Sequence, residues 1–97
     1  MKFFQTIRFS TSRIEEMQAL MQEYDQQDSG SSPGFIGSKV LKDRDRDNAY
    51  VVIAEFESYD QAMENSGRPE TDAFAKKMAT LVDGELGFNN YDVIDER

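Results

Sequence analysis

One segment constrains the fold more than any other: residues 49–57, AYVVIAEFE. Alternation along it puts Tyr50, Val52, Ala54 and Phe56 on one face and Val51 and Ile53 on the other. A strand with this pattern is apolar on both sides, unlike the strand of a sheet that turns one face to water. The first β-rich segment, KFFQTIRF over residues 2–9, repeats the pattern, with Phe3, Ile7 and Phe9 opposed by Phe4 and Thr6. A last strand expected over residues 86–94 sets Phe88 and Ile94 against Tyr91 and Val93. Both faces of the resulting sheet therefore need cover.

Helices can cover one of them. Ser12, with Glu15 three residues on, reads as a capping box, and behind it Ile14, Met17, Leu20, Met21 and Tyr24 recur at helical spacing. The run DSGSSPG over residues 28–34 cannot continue that helix and reads as a loop. FIGSKVLK and AYVVIAEFE then read as two strands joined by the short polar spacer DRDRDN, a β-hairpin. Ser58 and Gln61 form a second capping box, opening a helix that halts at Asn65, Ser66, Gly67 and Arg68. Pro69 restarts it, and Phe74, Ala75, Met78, Leu81 and Val82 line one face; Gly84 suits its end.

The order strand, helix, strand, strand, helix, strand predicts an α+β, ferredoxin-like βαββαβ domain spanning residues 1–97, a four-stranded antiparallel sheet with two helices on one face. Those helices leave the opposite face bare. A large bare apolar face marks an interface, and a second copy of the same sheet is its simplest cover. The expectation is a homodimer with sheets packed face to face. Which face meets the partner is left open by the alternation alone.

Composition removes several classes of function. Nineteen acidic residues against eleven basic ones give a net charge of −8, a surface that repels nucleic acid and anionic membranes. Without cysteine there is no disulfide framework, thiol nucleophile or thiolate metal site. No apolar run approaches membrane-spanning length and none resembles a secretion signal, so a cytoplasmic location is expected. The spacer DRDRDN resembles the start of a calcium loop. Counting from Asp43, however, the sixth position is Asn48 where glycine is needed, and the twelfth is Ala54 where a bidentate glutamate is needed. The segment after it has strand periodicity, so it is a solvated hairpin tip.

The residues resemble a family. Pro33, Gly34, Phe35 and Gly37 match a PGF-x-G turn before the second strand. Val52 or Ile53, then Glu55, Phe56, Ser58 and Ala62, match a run leading from the third strand into the second helix. With the broken second helix, the pattern is similar to the dimeric α/β-barrel superfamily, and within it to the antibiotic-biosynthesis-monooxygenase type of domain. The resemblance implies Phe4 and Thr6 facing a partner, Phe3, Gln5 and Ile7 facing the helices, and a small-molecule pocket between each sheet and its own helices. It also implies one of two activities: cofactor-independent oxygenation of phenolic or enolisable molecules, or oxidative haem breakdown. The haem-degrading branch uses an axial histidine; this chain has none, and the matching position falls near Met78, at core spacing beside Phe74 and Leu81.

For cofactor-free oxygenation the protein needs only to orient the substrate, stabilise its anion and exclude water. Gln5, a lone polar residue in an apolar face, and Asn65 and Arg68 at the helix break are the polar candidates, over an apolar floor of Phe74 and Met78. Each polar candidate also has a structural reading. Gln5 can satisfy a backbone group, Asn65 can cap a helix end, and Arg68 can pair with Glu70. The site, if there is one, is expected at residues 65–71, where glycine and proline interrupt a helical pattern. A small hydrophobic ligand is expected, with no metal, haem or flavin. The alternative is a non-catalytic homodimer that binds a small ligand or supports another protein. Titration with calcium by calorimetry, and with haem by absorbance, should reveal no specific site; a stoichiometric submicromolar complex with either would overturn the reading of DRDRDN or of Met78.

Overall fold

A computed structural model describes residues 1–27 and 32–97. The chain runs β1 (Phe3–Ser10), α1 (Ile14–Gln27), β2 (Phe35–Lys42), β3 (Ala49–Phe56), α2 (Tyr59–Ser66), α3 (Pro69–Ala79) and β4 (Gly87–Asp92). The four strands form one antiparallel sheet in the order β2-β3-β1-β4. This is the expected ferredoxin-like topology, with the second helix divided in two. Of the loop expected over residues 28–34, residues 28–31 lie outside the described residues.

The register decides which side chains share a face. Phe3, Gln5, Ile7 and Phe9 pair with Phe56, Ala54, Val52 and Tyr50 across β1 and β3. Phe3, Phe9, Tyr50, Val52 and Phe56 are all buried, and Met17 of α1 and Met78 of α3 close over the Phe9 end of this layer. At the other end Phe3 and Phe56 pack with Ala62 of α2. Phe4, Thr6, Val51 and Ile53 occupy the opposite face, which none of the described helices covers. Leu41, opposite Val51, and Tyr91, opposite Phe4, extend that bare face while 42% and 53% exposed.

Several local expectations are corrected. No capping box forms at Ser12: the hydroxyl of buried Thr11 accepts from Arg13 N at 2.9 Å and donates to Leu81 O at 2.6 Å. Thr11 thereby ties the segment after α3 to the corner between β1 and α1, and Asp83 N reinforces it by donating to Ser10 O at 2.7 Å. Helix α3 ends at Ala79, before Gly84. Thr80, at the C-cap, donates through its hydroxyl to Lys77 O at 2.7 Å and through its backbone N–H to the same carbonyl at 3.1 Å. Gly84 does adopt a left-handed φ of 88°, but within the following turn. Strand β4 is shorter than expected, and Ile94 lies beyond it, 89% exposed. DRDRDN forms the hairpin turn: Asp45 N donates to the Asp43 carboxylate at 2.9 Å, and Asn48 takes a φ of 59°.

The second cap forms at Ser58 as expected, although Gln61 meets its hydroxyl and not its backbone N–H. Ser58 is the N-cap of α2, accepts from Gln61 N at 3.2 Å and donates to Gln61 Oε1 at 3.0 Å. Gln61 also packs against Gly34, whose φ is 65° and whose N-terminal neighbour Pro33 leads into β2. A Cβ at Gly34 would fall 2.6 Å from Gln61 Oε1 and 2.8 Å from Gln61 Cβ. Among the described residues no helix is long and apolar enough to cross a membrane.

Gly34→Ala should therefore lower the denaturant midpoint by an amount worth about 1–3 kcal/mol, from the left-handed backbone and the clash together. Gly37→Ala, where an added Cβ meets nothing within 4 Å, should shift stability by no more than about 0.5 kcal/mol. Equal effects from the two substitutions would contradict this account of the turn.

Candidate functional site

The sheet and the three helices do not close fully on each other. Between them lies a cavity of about 620 Å³, within the range of small-molecule sites. Its floor is the helix-facing side of the sheet, where Ile7, Val52, Ala54 and Phe56 present apolar surface. Phe74 and Met78 of α3 form one wall and Met21 and Tyr24 of α1 another. Phe35 and Phe88, on the two edge strands, stand at its margins and are 42% and 52% exposed.

The helix break gives the cavity its polar corner. Proline disfavours a helical conformation in the residue before it, and Arg68 is accordingly extended, with φ −76° and ψ 141°. Pro69 opens α3 at a position where its missing N–H has no role. Of the glycine and proline that interrupt the pattern, Gly67 sits at φ −82°, open to any residue, so Pro69 makes the break. The result sets the last turn of α2 beside the first turn of α3. Asn65 Oδ1 there accepts from Arg68 Nη1 at 3.2 Å and from Thr71 Oγ1 at 3.4 Å. The Tyr24 hydroxyl lies 3.0 Å from Thr71 Oγ1.

Tyr24 also stacks on Phe74, with ring centroids 4.3 Å apart and planes 23° apart. This ring pair is shared with a smaller groove of about 230 Å³ on the outer side, between α1 and α3, where Leu20, Ala73 and Lys77 contribute. The two rings are thus the partition between cavity and groove.

Of the five residues singled out in the sequence, Gln5, Asn65, Phe74 and Met78 line the cavity together. Gln5 reaches it from β1 and donates through Nε2 to Asn90 Oδ1 of β4 at 3.3 Å, so it meets a side chain and not a backbone group. Met78 is 1% exposed and shared between the cavity wall and the core cluster of Phe9, Met17, Tyr50 and Val52. Arg68 does not line the cavity. It stands behind Asn65, where it also donates to Ser32 Oγ at 3.3 Å and pairs with Glu70 at 3.3 Å.

Sequence reasoning missed Tyr24, Thr71 and Phe35. Tyr24 was legible as a helix-stripe residue, and its phenol was the one polar handle in that stripe; Phe35 stood in the turn motif without a face assigned. Thr71 gave no signal apart from lying at the helix break. Among the described residues no group of three or more Asp, Glu, His or Cys is placed to hold a metal.

Similar folds are known. SnoaB, a cofactor-independent oxygenase from Streptomyces nogalater, superposes with a TM-score of 0.82 at 20% identity, covering 98% of this chain and 95% of that one. A conserved protein from Methanosarcina mazei Go1 gives 0.80 at 11% identity, covering 94% and 91%. Rv0793 from Mycobacterium tuberculosis gives 0.79 at 14% identity, covering 99% and 98%. At these identities the likeness establishes a common fold. No curated protein matches the sequence. The family model for antibiotic biosynthesis monooxygenases matches residues 3–77, from β1 to the last turn of α3, and so takes in both motifs and the helix break. The chain belongs to the antibiotic biosynthesis monooxygenase family.

Proposed function

We propose that the protein is a cofactor-independent oxygenase whose substrate, a small hydrophobic phenolic or enolisable molecule, binds in the cavity between sheet and helices. One observation carries the reading: an apolar cavity of about 620 Å³ holds a localised polar cluster at Asn65, Thr71 and Tyr24. A wholly apolar, filled interior would have favoured a purely structural dimer. The oxygenase named among the similar folds supports the class of chemistry.

The reaction balances without a bound redox group. An activated CH₂ beside a phenol or enol becomes C=O, one atom of O₂ enters the product, and the other leaves as water. Both electron pairs that reduce O₂ come from the substrate. The protein has to stabilise the enolate or phenolate oxygen, and the Asn65 amide at the cavity wall is suited to that role. Phe74, Met78 and the sheet floor then exclude water and hold the ring, and Gln5 supplies a second polar contact.

The bare sheet face bears on the assembly. Phe4, Val51, Ile53, Leu41 and Tyr91 stand on the face away from the helices, interspersed with Thr6, Arg8, Lys39 and Glu55, and we propose that a second copy covers it. Light scattering at micromolar concentration should then give twice the chain mass. Ile53→Asp should yield monomer or insoluble protein, since it buries an unpaired charge in that interface. A stable wild-type monomer would sink the proposal.

The chemical reading is tested with a hydroxylated anthrone, following oxygen uptake and quinone absorbance. Wild-type protein should accelerate uptake over buffer. Asn65→Ala should lower kcat/KM about a hundredfold, the effect of losing one oxyanion donor, and Phe74→Ala should act mainly through KM. Equal rates with wild type, Asn65→Ala and buffer would refute the assignment.

A further inference from the structure

Arg68 is a cation bonded to the cavity's polar corner, and the simplest expectation is that it receives an anionic group. Its hydrogen bonds point elsewhere. Nη1 donates to Asn65 Oδ1 at 3.2 Å and to Ser32 Oγ at 3.3 Å, while Nη2 pairs with Glu70 at 3.3 Å. Its side chain is 19% exposed, and it is not among the lining residues.

These contacts fix the Asn65 amide. A guanidinium has donors and no acceptor, so the amide atom facing it must be the oxygen. Thr71 agrees, because its hydroxyl also approaches Oδ1, at 3.4 Å. Since Thr71 spends its proton there, the Tyr24 hydroxyl, 3.0 Å from Thr71 Oγ1, must be the donor of that pair. The proton order is Tyr24 to Thr71 to Asn65, with Arg68 donating to the same Asn65 oxygen. With Oδ1 tied on both sides, Nδ2 is left. Among the described residues no acceptor takes it, and none of their buried side-chain nitrogens or oxygens lacks a partner. Nδ2 is therefore accessible, and Asn65 lines the cavity.

The charges around the cavity have the opposite sign from an anion receptor. Among its described lining residues the only ionisable side chains that carry charge at neutral pH are Asp25 and Asp72. Lys76, which pairs with Asp72 at 3.0 Å, is 77% exposed and not part of the lining.

We infer that Arg68 is a positioning residue that, with Thr71, turns the Asn65 N–H₂ into the cavity, and that the site therefore selects uncharged aromatic ligands bearing an oxygen acceptor over aromatic carboxylates. This rests on the cavity being the ligand site proposed above. It adds which ionic class is taken and which residue, away from the ligand, sets the preference.

The experiment compares three probes of one size: naphthalene, 2-naphthol and 2-naphthoate. Their dissociation constants are measured by ring fluorescence and calorimetry on the full chain. Wild type should bind 2-naphthol about fivefold to tenfold more tightly than naphthalene, the range of one net hydrogen bond, and should bind 2-naphthoate more weakly than 2-naphthol. Arg68→Met and Thr71→Val should each shrink the naphthol-to-naphthalene ratio towards one, and Arg68→Met, which lies outside the lining, should leave naphthalene affinity unchanged. Arg68→Lys should restore part of the ratio. A readout without ligand accompanies these: the Asn65 side-chain amide resonances should move in Arg68→Met while backbone amides of α2 and α3 stay in place. If 2-naphthoate binds best and Arg68→Met abolishes it, Arg68 is an anion receptor and the inference is overturned. An unmoved Asn65 resonance, or an unchanged naphthol ratio, overturns the positioning role. If wild type binds none of the three, the cavity is not an aromatic site and the ligand class falls with it; the amide resonances then decide the role of Arg68 alone.

Discussion

The pairing of β1 with β3 holds the rest of the structure in place. Core, cavity and bare face all depend on Gln5 lying opposite Ala54 and Ile7 opposite Val52. Side chains alternate strictly across a sheet, so a one-residue slip would exchange the two faces of β1. Phe3 and Phe9 would lose their places under the helices, and Gln5 would leave the cavity. The register is specified from the ends, where Phe3 meets Phe56 and Phe9 stacks near Tyr50 at 5.7 Å between centroids. Large rings at both ends of the ladder leave one alignment in which all four are buried.

Between those ends the residues become smaller or polar. Ala54 and Ser38 sit side by side across β3 and β2 beneath the cavity, with Gln5 on the other flank of Ala54. Small side chains in the middle of a sheet that carries rings at its ends create a hollow. The helix break meets that hollow from above. Cavity and break are thus two halves of one arrangement: the strands withhold volume, and Pro69 turns polar groups towards the space.

The topology was legible because the chain's periodicities are unambiguous in β3 and in α1, and because Ser58 with Gln61 gives a cap that forms as read. The first cap was not legible, since Ser12 and Thr11 are both plausible from local sequence and the choice is made by Leu81, seventy residues away. The end of α3 was placed too late for a similar reason: Leu81 and Val82 keep helical spacing and pack on the core from a turn. At the site, Asn65 and Phe74 could be found from the break and the apolar stripe. The pairing of Arg68 with Glu70 was legible and is present, but its place behind Asn65 was not, because whether a guanidinium faces a cavity or the back of a neighbouring amide is decided by three-dimensional contacts such as that with Ser32.

The stacked rings of Tyr24 and Phe74 give the cavity a wall of an unusual kind. The floor is built from the sheet, and part of the wall from Met78, which also belongs to the core, so altering either disturbs folding. The ring pair separates two spaces; Phe74 packs on the main core as well, whereas Tyr24 is held by the stack and by its hydroxyl contact with Thr71. A smaller side chain at either position would merge the outer groove with the cavity and lengthen the site towards the surface between α1 and α3. At Tyr24 the capacity of the site is therefore set apart from the packing of the main core, so a single substitution there would admit a longer ligand at little cost to the scaffold.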